Sequence, residues 1–437
     1  MLRTLRIART VLVFAPFAIA VMTASDARAA NRYVWVRGDD ANNDCLVATT
    51  PCHSIGRAIA QSASGDVINV AQGKYRENLR IDFSTTLTFL GGWDPLFILR
   101  DPAAHRTNIN SAKVTAVPPG SPKRDRLWAI HSPQLGVDIT VVLDGFMLSH
   151  GFATTQPPTP SGDPNDHWED GGALDATARG GSVHVNLRNS TITRNKARNG
   201  GGGLSAHAFN GGTVSLVLEN VVVTRNKTQT AGGGGIAIAG VNATGLVVNQ
   251  VTLSATNCVI AGNRAHGTVP ANPGDAVLLG GGAIWSSSSS GAGAPGSLIT
   301  VALLNSTLVD NRAEVVGGIT LNAAGGLTDA TTLQLQNTIL TDNRDDGGFG
   351  DLLMQSETVL TVNADHSDIG THSATGGTFN DLGGNLSVDP GLGRRYHLSA
   401  TSPLIDAADC TIAPSLDLDG DPRPSGPSCD IGADEVH

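Results

Sequence analysis

Apolar and polar residues alternate along most of the chain, and a seven-residue phrase that recurs five times organises this alternation. In every copy the second position is small, the fourth is aliphatic, and asparagine stands at both ends. The copies occupy residues 189–195, 220–226, 257–263, 305–311 and 337–343, and they start 31, 37, 48 and 32 residues apart. Because strand side chains alternate between two faces, the second and fourth positions share one face. The phrase therefore predicts a short strand with one buried side.

A glycine phrase follows most copies, starting at Gly200, Gly232, Gly280 and Gly317. Further alternating runs, at 214–218 and 333–336, lie between the copies. Asparagine suits turns, since it tolerates left-handed backbone and bonds its own main chain. One repeat thus holds two or three short strands and shows no helical pattern.

A coil this short cannot bury its apolar face alone, but stacked coils bury it and pair their backbones with each other. The sequence therefore predicts an all-β fold, a parallel β-solenoid in which each column runs as a ladder along the axis. A β-sandwich with Gly and Asn turns is the alternative, but it does not predict five copies in one order.

The N-terminus has the pattern of a secretory signal peptide, residues 1–29, with Arg3, Arg6 and Arg9 before an apolar stretch and a small-residue cleavage site ending at Ala29. That stretch is too short to span a membrane, and no other run predicts a span. Removing residues 1–29 changes the net charge from −10 to −13, which argues against a nucleic-acid partner. We expect a secreted, monomeric protein, extracellular or on a bacterial cell surface.

Five cysteines are present in a chain expected to reach an oxidising compartment. Position along the chain favours one disulfide near each end, Cys45–Cys52 and Cys410–Cys429. Cys258 falls in the small, inward column of the phrase, so we expect a buried free thiol. Burial in apolar surroundings makes a thiol inert.

Residues 52–60 have the apolar spacing of a short helix, followed by Gly65-Asp-Val-Ile-Asn-Val and Gly73-Lys-Tyr-Arg-Glu. This opening resembles the pectate-lyase-like right-handed parallel β-helix superfamily, and the resemblance implies a right-handed parallel β-helix with an N-terminal capping helix. Gly171-Gly-Ala-Leu and Gly281-Gly-Ala-Ile are similar to polymorphic outer-membrane-protein repeats, although aliphatic residues replace the Phe of that family's Phe-x-x-Asn.

The tail carries Asp417-Leu-Asp-Gly-Asp-Pro-Arg-Pro and Asp430-Ile-Gly-Ala-Asp-Glu, after Tyr396-His-Leu and Ser402-Pro-Leu-Ile-Asp. It resembles choice-of-anchor Q domain proteins, which are secreted bacterial β-helices. We divide the chain into the signal peptide, an N-terminal cap with the first coils (30–110), repeats with a long loop at 151–172 (111–380), and a C-terminal cap of choice-of-anchor Q type (381–437).

Two acidic groups are candidates for chemistry. Asp417, Asp419 and Asp421 alternate around Gly420 like half of a calcium loop, although a turn held by Asp–backbone bonds explains them as well. The long loop carries Asp163, Asp166, Glu169 and Asp170 beside Trp168, a ring that suits stacking on a sugar. Paired carboxylates do acid–base work on glycosides, but a solvated acidic loop explains this group equally. No cofactor is required by the sequence, and calcium stays an open alternative.

No complete catalytic constellation is visible, so whether the chain is an enzyme stays open. Non-catalytic glycan binding or adhesion is the main functional hypothesis, with an extracellular polysaccharide or a cell-surface component as partner. A polysaccharide lyase, or less directly a glycoside hydrolase, is the enzymatic alternative. A structural surface spacer is the third.

A base follows each closing asparagine, at Lys196, Lys227, Arg264, Arg312 and Arg344. If one repeat is one coil, these five side chains stack at about the strand spacing of 4.8 Å. We predict that this basic row follows an extended anionic chain such as an acidic polysaccharide. The alternative is that each base extends into solvent or pairs with nearby acids such as Asp310 and Asp342.

Overall fold

The computed structural model describes residues 29–111, 125–153, 170–229, 232–242, 247–266, 280–291, 294–325, 328–345 and 350–437. Residues 1–28 of the expected signal peptide lie outside these ranges. So do Asp163, Asp166, Trp168 and Glu169 of the expected acidic loop.

Strands are the main regular structure of the described residues. The first third contains β1 (Asn31–Val34), β2 (Val67–Ala71), β3 (Gly73–Tyr75), β4 (Leu79–Ile81), β5 (Thr85–Trp93), β6 (Thr107–Asn110), β7 (Trp128–Ser132), β8 (Asp138–Asp144), β9 (Phe146–Ser149) and β10 (Phe152–Ala153). The repeats contain β11 (Leu174–Arg179), β12 (Ser182–Thr193), β13 (Lys196–Ala197), β14 (Leu204–Phe209), β15 (Thr213–Thr224), β16 (Lys227–Thr228), β17 (Ile236–Asn242), β18 (Asn249–Thr256), β19 (Val259–Ala261), β20 (Arg264–Ala265), β21 (Ile284–Ser290), β22 (Ser297–Leu304), β23 (Thr307–Val309) and β24 (Arg312–Ala313). The last coils contain β25 (Ile319–Ala323), β26 (Ala330–Gln336), β27 (Ile339–Leu340), β28 (Arg344–Asp345), β29 (Leu352–Ser356), β30 (Val359–Asp365), β31 (Asp368–Ile369), β32 (His372–Ala374) and β33 (Thr378–Asp381).

The strands of the described residues form three parallel sheets stacked as in a β-helix, which confirms the predicted fold class. Sheet A has 18 strands, sheet B has nine, and sheet C has the six short strands β10, β13, β16, β20, β24 and β28. Each coil passes through B, A and C in turn, as in β11, β12 and β13, and the next coil repeats the path in register. The phrase spans the end of the sheet A strand and the corner that leads into sheet C.

The inward columns match the predicted period of two. The fourth position of the phrase (Ile192, Val223, Ile260, Leu308 and Leu340) is fully buried in every copy. The second position is buried too. In the four copies where it is Ser, Cys or Thr, its hydroxyl or thiol donates to the backbone carbonyl two residues earlier, as Ser306 Oγ does to Leu304 at 3.0 Å and Cys258 Sγ does to Thr256 at 3.3 Å. A small polar side chain at this place therefore satisfies the carbonyl next to the turn.

The opening asparagines have the left-handed backbone that turns require, with φ between 42° and 55° in all five copies. The closing asparagines differ from our expectation. The residue before each of them, such as Arg225 with φ 56°, takes the left-handed conformation instead, and the closing asparagine points its amide into the core.

The short helix α1 (Ile55–Gln61) lies over the first coil and buries Ile55, Ala58 and Ile59. Ser54 caps it by accepting from the Arg57 amide at 3.1 Å. The Glu77 carboxylate accepts from the first two helical amides, Ile55 at 2.9 Å and Gly56 at 2.8 Å. The helix covers core side chains that would otherwise end the stack in water, as a solenoid cap must.

Both disulfides that we expected are present, Cys45–Cys52 and Cys410–Cys429. Cys258 is a buried free thiol, and burial raises its pKa to about 12. It is therefore protonated at neutral pH and has the inert character that we predicted.

The C-terminal segment from residue 386 onward lies along the side of the stack, against the outer face of the last sheet A strands. Leu398, Leu404 and Ile431 pack there on Val259, Val309 and Ile339 in a second hydrophobic cluster. The opening asparagines bind the segment as well, since Asn257 Nδ2 donates to the Leu416 carbonyl at 2.7 Å and Asn337 Nδ2 to that of Asp409 at 2.9 Å. We call residues 386–437 the C-terminal strap.

Within the described ranges no helix has the length and apolar content needed to cross a membrane.

Candidate functional site

The five bases of the basic row lie in one column of sheet C. Lys196, Lys227, Arg264, Arg312 and Arg344 are successive register partners, each the first residue of its strand. Neighbouring strands are about 4.8 Å apart. The row therefore presents cationic groups at a regular interval along the axis.

Alternation in sheet C turns the row outward. In each coil the asparagine before the base is buried. In the first four coils the small residue after the base is buried as well: Ala197, Thr228, Ala265 and Ala313. The bases themselves are half-buried at Lys196 and Lys227 and exposed at the three arginines.

A ladder of buried asparagine amides lies directly beneath the row. Asn195 Nδ2 donates to Asn226 Oδ1 at 2.9 Å, Asn226 to Asn263 at 3.0 Å, and Asn263 to Asn311 at 3.0 Å. Asn311 donates to Asn343 at 2.9 Å, and Asn343 to the Asp351 carboxylate at 2.9 Å. Because each amide is fixed by the coils on both sides, the backbone that carries the row is held rigidly.

The two ends of the row have opposite electrostatic surroundings. We call the coils that carry Lys196, Lys227 and Arg264 the first three coils of the row. In these coils the residues two positions before and after each base are arginine, histidine or an uncharged residue: Arg194, Arg198, Arg225, Gln229, Gly262 and His266. In the last two coils the described flanking residues are acidic: Asp310 and Glu314 beside Arg312, and Asp342 and Asp345 near Arg344. Positive charge is therefore concentrated over Lys196, Lys227 and Arg264.

Two titrating groups record this difference. The pKa of His266 lies below its ordinary value, because burial disfavours its charged form and Arg264 and Lys227 repel the added proton. The pKa of Asp342 is raised by burial and by the neighbouring carboxylates, chiefly Asp389. Burial is the largest cause at both groups, and the neighbouring charges named here add effects of opposite sign at the third coil and the last.

The structure adds a sixth position to the row, which the sequence reasoning missed. Phe152 pairs in register with Lys196 and begins β10, so residues 151–153, which we assigned to the long loop, include the first strand of sheet C. The Lys196 ammonium lies 5.8 Å from the centroid of the Phe152 ring. Residues 145–151 are a degenerate copy of the phrase, with Gly145 and Gly151 in place of the two asparagines and His150 (φ 60°) at the left-handed corner.

The proposed sugar-stacking residue Trp168 lies outside the described residues, and so do three of the four acids of that loop. Asp170 is described and is buried. Its carboxylate accepts from the Gly200 amide at 2.5 Å, a contact that joins neighbouring coils.

The three aspartates of the expected calcium loop have different partners. Asp417 is buried, and its Oδ1 accepts from the amides of Asp419 at 2.9 Å and Asp421 at 2.8 Å. The Asp419 carboxylate faces His397 at 3.4 Å, and the Asp421 carboxylate faces His437 at 3.3 Å. This is the Asp–backbone turn that we named as the alternative, with only Asp417 at its centre.

Two other groups have ligand atoms close enough for one metal ion: Asp365, His366 and Asp409, and His397, Asp419 and Asp434. A His with two carboxylates suits a divalent transition metal better than calcium, which prefers oxygen ligands.

A lateral groove runs over the outer face of sheet A between residues 100–107 and the C-terminal strap. It consists of two adjoining cavities of about 560 and 430 Å³ that share Val222, Leu418 and Asp419. Arg100 and Arg106 line one end, and Arg225, Arg395, Tyr396 and His397 line the other.

His397 is the most chemically suggestive side chain in this groove. Its Nδ1 lies 2.8 Å from Oδ1 of Asp434, whose side chain is only 14% exposed. Burial raises the pKa of Asp434, while His397 opposes this effect. Its Nε2 faces the Asp419 carboxylate at 3.4 Å, so a substrate would have to displace Asp419 before this nitrogen could transfer a proton.

A third polar cluster lies on the outer face of sheet B. The buried Asp175 carboxylate accepts from Arg126 and from Ser205 Oγ at 2.6 Å, and it lies 2.7 Å from His131 Nε2. Burial opposes its charge, but Arg126 and His131 hold the pKa of Asp175 well below its usual range. The contacts tie β7, β11 and β14 together, which gives this cluster a structural role.

No protein-family model matches the chain, and no curated protein matches it either. Among solved structures it is similar to pectate lyase Pel9A, with a TM-score of 0.45 and 14% identity over 93% of this chain and 96% of that one. It is also similar to the GH136 lacto-N-biosidase from Eubacterium ramulus (TM-score 0.30, 11% identity, 81% of this chain and 68% of that one). A third similar structure is XylC in complex with xylose (TM-score 0.30, 10% identity, 92% of this chain and 98% of that one).

Proposed function

We propose that this chain is a secreted glycan-binding protein that holds an extended anionic polysaccharide along the basic row. The observation that supports this function is the register of Lys196, Lys227 and Arg264 in consecutive strands of sheet C. A repeating ligand is the natural partner of a repeating surface, because each coil offers one equivalent contact.

The charge distribution narrows the proposal. The first three coils carry the row together with Arg194, Arg198 and Arg225, whereas acids flank the last two bases. The polymer therefore binds over the first three coils, and its negative groups lie at intervals near the strand spacing. Phe152 stands at the start of this segment and offers an aromatic face for a sugar ring.

Each exposed contact of this kind is weak and is screened by salt. Affinity comes from several contacts made at once by one polymer. The proposal therefore predicts strong binding to long anionic chains, weak binding to short ones, and loss of both as ionic strength rises. It requires no metal, so a chelator leaves binding unchanged.

Affinity electrophoresis tests this function. The mature protein is run through gels containing polygalacturonate, alginate, a sulfated glycan or a neutral glucan. We expect retardation by at least one anionic polymer, none by the glucan, and release at high salt. Unretarded migration in every gel would contradict glycan binding and favour the structural spacer.

The lateral groove supports a second candidate function, cleavage of such a polymer. His397, oriented by Asp434, lies in the groove with Tyr396, Arg225 and Arg395. In a lyase, an arginine would neutralise a uronate carboxylate while His397 removed the proton from the carbon next to it. The glycosidic C–O bond on the following carbon would then break to leave a double bond, and the departing oxygen would take a proton from solvent. Appearance of unsaturated products from polyuronate, absent in His397→Ala, would support a lyase. Reducing ends without unsaturation would indicate a hydrolase.

A further inference from the structure

The loop between β5 and β6 exposes three large apolar side chains together. Leu96 is 71% exposed, Ile98 78% and Leu99 59%. Single exposed apolar residues are ordinary on a protein surface, but a cluster in one loop marks an interaction site. We call residues 94–99 the apolar tip.

The tip is rigid because Asp94 satisfies its backbone. The Asp94 carboxylate accepts from the amides of Leu96 at 3.2 Å, Ile98 at 2.7 Å and Leu99 at 2.8 Å. The Asp94 amide donates to the Leu99 carbonyl at 2.9 Å. These contacts hold the pKa of Asp94 below its ordinary value, the Leu99 amide contributing most.

Phe97 fixes the tip to the body of the protein. It adopts a left-handed backbone conformation, with φ 57°, and its ring packs edge-on against Tyr33 with centroids 5.0 Å apart. One aromatic residue of the loop is thus turned inward while its three aliphatic neighbours stay in solvent. The loop therefore separates its aromatic side chain, which contacts the protein, from its aliphatic side chains, which contact solvent.

A cationic hollow of about 480 Å³ adjoins the tip. It is lined by Trp35, Arg37, Pro95 and Arg106, among others. The Arg37 guanidinium lies 5.7 Å from the centroid of the Trp35 ring, and both arginines are exposed.

We propose that the apolar tip and this hollow form a docking surface for an anionic lipid bilayer. Leu96, Ile98 and Leu99 enter the boundary between headgroups and acyl chains, and Arg37 and Arg106 bind lipid phosphates. Trp35 lines the same hollow as the two arginines, and tryptophan concentrates at the interface of membrane proteins.

The construction of the tip favours a bilayer over a protein pocket. Backbone amides that enter an apolar phase must already be hydrogen-bonded, because no partner is available there. Asp94 meets this condition before any contact is made. The two exposed arginines beside the tip also match the phosphates that lie just outside the acyl region of an anionic bilayer.

Vesicle flotation tests the proposal, using phosphatidylcholine vesicles with and without phosphatidylglycerol. The parent protein should float with the anionic vesicles. The variant L96S/I98S/L99S should lose at least about tenfold in partition coefficient, because its three serines gain nothing from entering the apolar region of the bilayer. The matched control is Leu135→Ser, which changes a leucine that is 83% exposed elsewhere and should have no effect. R37Q/R106Q should reduce binding to anionic vesicles to the level found with neutral ones.

A fluorescence measurement distinguishes insertion from surface attraction. A polarity-sensitive dye on Ile98→Cys should shift to the blue on addition of anionic vesicles, whereas the same dye on Leu135→Cys should not. The buried Cys258 does not compete for the label in the folded protein. Parent protein that stays with the aqueous phase, equal flotation of the triple serine variant, or a dye at residue 98 that does not shift would each overturn the proposal. Flotation lost only when the basic row is changed would do so as well.

Discussion

Asn263 Oδ1 accepts two hydrogen bonds from Asn226, one from its backbone amide and one from its side-chain amide, each at 3.0 Å. The two residues are 37 positions apart in the sequence. The same relationship recurs from Asn195 to Asn343. This ladder of closing asparagines joins successive coils at the corner that leads to the basic row. The stability of the stack and the spacing of the bases therefore depend on the same column of residues.

Asn263→Ala should therefore destabilise the protein strongly. The change leaves the Asn226 amide and the Val223 carbonyl, which Asn263 Nδ2 reaches at 2.8 Å, without these partners in the core. An unsatisfied buried group costs about 1–3 kcal/mol, so urea unfolding should show a loss of about 3 kcal/mol in the free energy of unfolding. Lys227→Ala, on the outward side of the neighbouring coil, is the control and should stay within about 0.5 kcal/mol of the parent. Equal effects of the two variants would contradict the ladder's role.

The Cys410–Cys429 disulfide should stabilise the C-terminal strap against the sheet. Replacing both cysteines by serine should cost about 2–4 kcal/mol. Hydrogen exchange should then rise in residues 386–437 before it rises in the repeats. Uniform exchange along the chain would show that the strap and the repeats unfold together.

The buried free thiol of Cys258 should react with thiol reagents only after denaturation, in the parent and in the double serine variant alike.

Ionisation of the Asp368 carboxyl should lower the free energy of unfolding as the pH rises. Burial, together with Asp342, Asp351 and Asp389, raises the pKa of Asp368 from 3.8 to about 6. A carboxyl whose folded pKa is raised contributes stability below the unfolded value, and this stability is lost as the pH rises through the folded value. The free energy of unfolding should therefore fall between about pH 4 and pH 6.

Asp368→Asn should remove this slope and stabilise the protein by about 1–2 kcal/mol at pH 7, after allowance for solvent screening. The Val388 amide, which donates to Asp368 Oδ1 at 2.9 Å, keeps its acceptor in the amide side chain. Asp82→Asn, at an exposed site on the first coils, should leave the pH profile unchanged. A retained slope in the Asp368 variant would assign the titration to another group.

Asp175→Asn should be destabilising for a different reason, because it removes the charge of the fully buried carboxylate that pairs with Arg126 and leaves Asp125, at 3.8 Å, as a more distant and less buried one. Breaking a buried ion pair on one side costs about 3–5 kcal/mol. Thermal unfolding at neutral pH measures the loss, and Asp138→Asn on the surface is the control. A loss below about 1 kcal/mol would mean that Asp125 is a sufficient counter-charge for Arg126.

Period-two alternation was sufficient to predict the coils, the inward columns and the position of the basic row. These features are local, since each repeat contains the residues that build them. Two positions depart from the pattern. Phe152 escaped notice because Gly151 replaces the asparagine that marks the phrase, and the closing asparagines were read as turn residues although the preceding residue makes the turn.

The features that sequence reasoning could not supply depend on contacts between distant segments. Asn257 and the Leu416 carbonyl are 159 positions apart, and no periodicity links them. Without the path of the C-terminal strap, the lateral groove and the meeting of His397 with Asp434 could not be inferred. The alternating aspartates were equally ambiguous, because only their burial shows that Asp417 serves the turn.

The central claim is that the first three bases of the row bind an anionic polysaccharide, and two matched variants test it most directly. K196S/K227S/R264S removes two half-buried lysines and one exposed arginine from the outward column of sheet C, and R312S/R344S removes two exposed arginines from the same column. The measurement is the dissociation constant for the anionic polymer that retards the parent, at low salt. We predict that the first variant loses at least about tenfold in affinity, about 1.4 kcal/mol, while the second stays within about threefold of the parent. Equal losses in the two variants, or unchanged affinity in the first, would contradict the account.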